Sequence, residues 1–460
     1  MARETADVVI CGAGIAGVSA AYHLTVQHGL RNVVLVDELP PLSLTSDKST
    51  ECYRNWWPGP GNAMVQLMNR SIDLLETWAD ESGNAIQLNR RGYLFATAEA
   101  SKIDDYLAIS REAEANGAGP LRVHRGRPDD PEYVPSPAEG FHDLPMGADL
   151  FVDHNLIRKH FPFLAADTVG VLHPRRCGWF SGQQLGRLLL ERARQAGLRL
   201  VSGTVDGVEH DERVHAVHIK TASGALNIDT DRFVMAAGPK AQDVAALLGV
   251  ELPIYCELHA KVSMADPNGA VPRSAPLVIW SDDQTLEWTA EECELLAEDP
   301  NSAWLLDPLP AGVHVRPEGA ADSPMILILW TYDLDPVEPK FPPDFDQVVY
   351  PEVALRGLSR MIPDLKSYIG RMPKPFVDGG YYVKTQENRL LAGPLPVEGA
   401  YLLGALSGYG MMASPAAGEL LAAHVTGSEL PEYANWFDLG RYKEGDYQRL
   451  LETWEASGQL

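Results

Sequence analysis

The sequence predicts an α/β nucleotide-binding domain interleaved with a mostly antiparallel β domain, and three observations carry that expectation. A short β-branched run, a glycine-rich turn and a helical repeat open the chain. Residues 198–237 read as a strand, an antiparallel meander and a further buried strand. A strand, a glycine turn and a helix recur from residue 401, so distant parts of the chain belong to one layer of sheet and helix.

Taken in order, residues 6–10 (Ala-Asp-Val-Val-Ile) predict a buried strand and residues 18–28 a helix. Residues 33–36 predict a second buried strand that ends at Asp37, which completes a βαβ unit. Residues 39–61 turn to Pro, Ser, Thr, Trp and Gly and predict a long ordered loop. Met64, Leu67, Met68, Ile72, Leu75 and Trp78 then recur at helical spacing over 62–82. Residues 88–95 read as a strand leaving the first domain, followed by helices over 101–116, 153–161 and 183–197. Residues 251–364 read as β-rich, with an acidic excursion over 282–322, and a helix is expected over 414–425. The expected domains are therefore discontinuous. Residues 1–86, 151–250 and 371–427 form the nucleotide-binding part, 87–150 and 251–370 the second domain, and 428–460 an extension.

Composition narrows the partners. The chain has 460 residues, a formal net charge of −25, 45% hydrophobic and 22% charged residues. Such a charge argues against nucleic acid and anionic membrane, both polyanions. Five separated cysteines without a CxxC pair read as reduced thiols, and no leader or membrane-spanning run is seen, so a cytoplasmic location is expected. The thirteen histidines form no HxxxH or HxH pair, so no metal site is expected.

Gly12, Gly14 and Gly17 give G-x-G-x-x-G between strand and helix, with Ile15 and Ala16 inside the motif. The first glycine permits a tight turn, the second a close approach to pyrophosphate, and the third tight packing of helix on strand. The helix N-terminus supplies N–H groups and positive dipole to phosphates. Asp37, twenty residues past Gly17 and followed by Glu38, stands where a carboxylate binds ribose hydroxyls. Residues 401–418 repeat strand, turn and helix, with Gly404, Gly408, Tyr409, Gly410, Met411 and Met412 around the turn and Pro415 expected near the first helical turn.

The fingerprint, Ala236-Ala237-Gly238-Pro239, Tyr381-Tyr382-Val383-Lys384-Thr385 and Ser407-Gly408-Tyr409-Gly410 occur in that order. Together they resemble the D-amino-acid oxidase-like family of FAD-dependent oxidoreductases, in its sarcosine oxidase, dimethylglycine dehydrogenase and glycine oxidase branch. The resemblance runs from about residue 7 to 427. It implies a Rossmann-like FAD-binding domain with an antiparallel-sheet substrate domain, and a flavin held by both glycine turns, Val205, Ala237 and Gly238. It also implies a segment over 44–54 beneath the flavin, where Ser49 and Thr50 offer hydroxyl and N–H groups.

By the same resemblance Arg54 matches the position that holds a substrate carboxylate, while Met412 stands where a second clamp is a lysine. A guanidinium suits that task because it forks onto both oxygens. Tyr53, Trp56 and Trp57 are candidates for the wall of an amine pocket. Gly380 replaces the cysteine that anchors flavin in sarcosine oxidases, and the anchoring histidine of dimethylglycine dehydrogenases falls near Glu51 and Cys52, so non-covalent FAD is expected. The strand over 325–330 lacks the family's lysine above the flavin, which Lys261 on a neighbouring strand would replace.

The expected activity is oxidation of the C–N bond of an amine or N-alkyl amino acid by hydride transfer to flavin N5, giving an imine that hydrolyses. Tyr53, Arg54, Tyr382 and Tyr409 are the substrate-side candidates, and the electron acceptor, oxygen or a carrier, stays open. Two alternatives stand beside it. One is a 2-hydroxy acid dehydrogenase, which Arg54 would serve equally well, and the other is a flavoprotein with a mainly binding or assembly role.

Overall fold

The computed structural model describes residues 4–57, 59–320 and 322–454. Among them, Arg199–Ser202, Val33–Asp37, Val8–Cys11, Phe233–Met235, Ala400–Gly404 and Leu391–Pro394 lie side by side in that order. All pairings are parallel except the last. Val8, Val9, Ile10, Val33, Val34 and Leu35 are wholly buried, the reason these runs are apolar without alternation. Each such side chain contributes about 1.5–3 kcal/mol on burial. This is the Rossmann-like layer.

Helix Ile15–Tyr22 follows the first strand and continues through a widened π turn over His23–Gln27. Helix Gly410–Thr426 packs beside it, where Ser19 Oγ donates to the Ser414 carbonyl at 2.7 Å and His23 Nε2 pairs with the Pro415 carbonyl at 2.9 Å. This second helix starts four residues before the expected Ser414. Pro415 is therefore its sixth residue and lies beyond the first turn. Ser414 Oγ donates at 3.4 Å to the Met411 carbonyl, which a residue 415 with an N–H would otherwise serve.

The second layer is a mixed nine-stranded sheet in the order Phe376–Lys384, Tyr255–Ala265, Met325–Leu329, His314–Pro317, Leu277–Trp280, Tyr93–Thr97, Gly170–Pro174, Ala148–Phe151 and Leu121–His124. Gly170–Pro174 and Phe376–Lys384 fall inside sequence ranges assigned to the nucleotide-binding part, yet both pair within this sheet. The chain crosses between layers more often than composition reveals. Thr204–His210, Val214–Thr221 and Gly224–Asp229 form the expected meander.

Two expectations of local structure differ. The loop over 39–61 contains a 3-10 turn at Thr45–Lys48 and a short strand, Cys52–Arg54, paired with Cys177–Trp179. Within the segment read as β-rich lies helix Val349–Met361, burying Tyr350, Val353, Ala354, Leu358 and Met361. Its start, Val348-Val349-Tyr350-Pro351, looks strand-like, but Pro351 sits in the first turn, where its missing N–H costs nothing. Residues 429–454 are tied down through Glu387, which accepts from Arg441 Nη2 at 2.8 Å, Tyr442 Oη at 2.8 Å and Tyr447 Oη at 2.9 Å. Among the described residues no helix is long and apolar enough to cross a membrane.

Candidate active site

A cleft of about 100 Å³ opens where the two layers meet. Its floor is the first glycine turn. Gly14, Ile15 and Ala16 line it, and Ser46 Oγ accepts the Ile15 N–H at 3.0 Å. Gly12 and Gly17 lie beneath. A Cβ on Gly12, whose φ is +106°, would stand 2.3 Å from the Ala236 oxygen, and one on Gly17 would stand 1.8 Å from the Gly12 oxygen. Only glycine fits there.

The opposite end is the second turn. Gly404, Gly408, Gly410 and Met411 line the cleft, with Ser407 between them. Ala405 and Ser407 have φ of +52° and +50°. Left-handed backbone at residues with a Cβ costs on the order of 1–3 kcal/mol each and persists where surrounding structure imposes it. Here the Ser407 N–H donates to the Val383 carbonyl at 2.9 Å, which pins the turn to the edge strand of the nine-stranded sheet. Two helix N-termini, at Ile15 and Gly410, thus meet one cavity, and first-turn N–H groups have no intrahelical acceptor.

The sheet supplies the remaining wall. Tyr381, Tyr382 and Val383 line it, as do Gly238, Thr45 and Ser49. Tyr382 stacks on His259 with ring centroids 3.7 Å apart, and burial pushes its phenol up to about 12, so it is neutral at physiological pH. His259 Nε2 lies 2.8 Å from Glu257 Oε2, Thr331 Oγ1 lies 2.9 Å from His259 Nδ1, and Lys384 Nζ donates to Glu257 Oε1 at 2.9 Å. Burial is the largest influence on His259 and holds it below the usual histidine value.

Several candidate residues lie outside the cleft lining. Tyr53 is wholly buried and donates its hydroxyl to the Asn89 carbonyl at 2.7 Å. Arg54 is 3% exposed, with its guanidinium 4.4 Å from the Trp57 ring centroid. Tyr409 packs edge-on against Trp57 and donates to the Asn388 carbonyl at 3.0 Å. Tyr53, Arg54 and Tyr409 are not among the residues that line this cleft. Met412 is buried, its carbonyl accepting from Ser71 Oγ. The Thr50 carbonyl accepts Arg316 Nε at 3.0 Å, and Ala237 sits one residue off the lining at the base of the short turn that begins at Gly238.

Asp37 accepts the Ala13 N–H at 2.7 Å and the Leu39 N–H at 2.9 Å, so its carboxylate braces the glycine turn. Glu38 pairs with Lys240, and Val205 is buried opposite Ile219. Lys261 Nζ donates to the Ser49 carbonyl at 3.4 Å, on the far side of a lining residue. The Cys52 thiol is buried, donates to the Thr50 carbonyl at 3.3 Å, and is raised by burial above the usual thiol value.

Sequence reasoning passed over Glu257 and His259, although a signal was present. Glu257, His259 and Lys261 alternate along one strand, which sets three ionisable groups on one face of a sheet. Thr45, Ser46 and Ser407 stand inside quoted motifs but were not singled out; nothing in local pattern separates them from neighbours.

A glycine turn under one helix, a second helix N-terminus, and a wall from another sheet together define a nucleotide-cofactor oxidoreductase of two interleaved layers. The chain belongs to the FAD dependent oxidoreductase family, whose model matches residues 7–424. It is 24% identical over 264 residues to mitochondrial dimethylglycine dehydrogenase of Rattus norvegicus, which covers 56% of this chain and 26% of that one. It is 23% identical over 272 residues to 4-methylaminobutanoate oxidase (formaldehyde-forming) of Paenarthrobacter nicotinovorans, covering 57% and 28%. The chain thus spans about a quarter of the length of these curated relatives. L-proline dehydrogenase from P. horikoshii shares the fold, with a TM-score of 0.72 at 18% identity over 96% of this chain and 99% of that one.

The residues fit FAD. Gly14 leaves backbone open to a pyrophosphate, and the paired helix N-termini favour negative charge at both ends of the cleft. Gly380 carries no thiol for a covalent link. Among the described residues no group of three or more His, Cys, Asp or Glu could hold a metal ion.

Proposed function

We propose that this chain oxidises the C–N bond of a small amine or N-alkyl amino acid, yielding an imine that water hydrolyses. The observation that carries the reading is the aromatic and ionisable wall, Tyr382 backed by His259 and Glu257, set across the cleft from two helix N-termini. Similarity to a dimethylglycine dehydrogenase and a methylaminobutanoate oxidase supports the same chemistry.

Bound FAD supplies the acceptor for the electron pair. The protein's own part is to orient, desolvate and hold charge. Gly14, Ile15 and Ala16 bind the phosphate end, and Ser49 and the turn at 407–410 bind the flavin end. Tyr382 presents an aromatic face to pack on and a neutral hydroxyl that can donate a hydrogen bond to a free-base amine. Arg54 and Tyr409 both pack on Trp57. Non-covalent FAD follows from Gly380 and from the buried Cys52 thiol. Five free thiols support a reducing, cytoplasmic setting.

Anaerobic titration tests the reading. Secondary and tertiary amines or N-methyl amino acids bleach the flavin absorbance, and 2-hydroxy acids do not. Bleaching by hydroxy acids alone, or by neither class across a broad panel, overturns it. Comparing re-oxidation by air with that by a dye identifies the electron acceptor.

A further inference from the structure

The geometry points to the Glu257–His259 couple as a positioning device that fixes the Tyr382 ring in the wall of the cleft. It goes beyond the reaction proposed above and rests on it only for where the substrate binds.

The argument begins with register. In the antiparallel pair of Tyr255–Ala265 with Phe376–Lys384, His259 stands opposite Gly380 and Glu257 opposite Tyr382. Directly opposed residues share a face of a sheet. Gly380 offers His259 no side chain to pack on, so the imidazole leans diagonally and stacks on Tyr382 at 3.7 Å, with the ring planes 23° apart. A Cβ on Gly380 would make a tight contact, 3.3 Å from Thr45 Cα.

The imidazole has little freedom to rotate. Glu257 holds Nε2 at 2.8 Å and Thr331 holds Nδ1 at 2.9 Å, so both ring nitrogens are engaged. A neutral ring satisfies both contacts by donating from Nε2 and accepting at Nδ1. Lys384 in turn grips both oxygens of Glu257, at 2.9 and 3.1 Å. Glu257, His259 and Lys384 are each at most 9% exposed. A buried ionic group of this kind is seldom more stabilising than packed apolar residues of the same volume. Stability therefore does not account for it, whereas holding one aromatic ring at a cleft wall does. With both nitrogens occupied, His259 acts through Tyr382 and not on substrate directly.

The test uses the FAD-loaded full chain labelled with 3-fluorotyrosine, the Tyr382 resonance being assigned with Tyr382→Phe. His259→Ala removes the ring-current contribution of the imidazole and moves that resonance, while His259→Phe keeps a stacked ring and preserves a displaced signal. In turnover, His259→Ala lowers kcat/KM about tenfold, as expected for one aromatic pair. His259→Phe recovers most of it, and His259→Ala adds little on a Tyr382→Ala background. Glu257→Gln, which keeps the hydrogen bond, gives a smaller fall. An unmoved fluorine resonance in His259→Ala, or additive losses in the double variant, overturns the inference. The fluorine arm reads without substrate, so failure of every amine to react tells against the proposed reaction alone.

Discussion

The guanidinium of Arg54 lies 4.4 Å from the centroid of the Trp57 ring, and Trp57 Nε1 donates back to the Arg54 carbonyl at 3.2 Å. Trp57 also meets Tyr409 edge-on, with centroids 5.2 Å apart. Two residues that read as substrate contacts in the sequence are thus joined through one tryptophan. A desolvated cation–π contact contributes about 2 kcal/mol. Arg54→Leu is expected to lower the unfolding free energy from urea melts by that order and to change KM less than Tyr382→Ala does. Steady-state kinetics on both variants beside urea melts provides the check; a KM rise in Arg54→Leu without loss of stability would return Arg54 to the substrate.

In the glycine turn, Gly12 is required by the fold and Gly14 by the cofactor. Gly12→Ala places a Cβ 2.3 Å from the Ala236 oxygen, whereas Gly14→Ala places one 3.3 Å from Ser46 Oγ, which can rotate away. Gly12→Ala is expected to purify with at most about a tenth of the wild-type flavin content, a loss of roughly 1.4 kcal/mol or more in binding. Gly14→Ala should fold normally yet also lose flavin, because its Cβ would stand in the cleft where the pyrophosphate approaches. The ratio of flavin to protein absorbance measures both.

Acid precipitation should leave the FAD in the supernatant. Gly380 has no nucleophile, and burial keeps the Cys52 thiol protonated near neutral pH. Slow reaction of Cys52 with a maleimide in the folded protein is the companion expectation. Flavin fluorescence comigrating with denatured protein on a gel would show a covalent bond.

Stability should fall as pH is lowered from 7 toward 4. Burial, with Arg175 nearby, depresses His173 from 6.5 to about 3, and burial depresses His314 to about 4. Below 6.5 the unfolded chain takes protons that these folded-state rings refuse, so their contribution is complete above 6.5 and is lost as pH falls through the folded values. Each contributes a slope of up to about 1.4 kcal/mol per pH unit in that window. His173→Gln should flatten the dependence of the urea midpoint on pH; an unchanged slope would mean that other groups dominate.

Much of the nucleotide-binding layer was legible in the sequence because its signals are local. A strand, a turn that only glycine can make, and a helix follow one another within residues 8–22, and the same order recurs over 400–426. The boundaries between layers were not legible. Gly170–Pro174 and Phe376–Lys384 look like ordinary strands, and only their partners, as far away as Tyr255 is from Lys384, decide which sheet they join.

By itself, then, the sequence determined the turn chemistry. Glycine at 12 and 17, a carboxylate at 37 and a second glycine turn near 408 are set by backbone sterics and short-range hydrogen bonding. Tertiary structure alone decided which side chains face the cleft. Arg54 and Tyr409 both pack on Trp57, and His259, one of three alternating ionisable groups in its strand, lies on Tyr382 because the residue opposite it is Gly380. Side-chain direction across a sheet depends on register with a distant strand, and no local pattern records it.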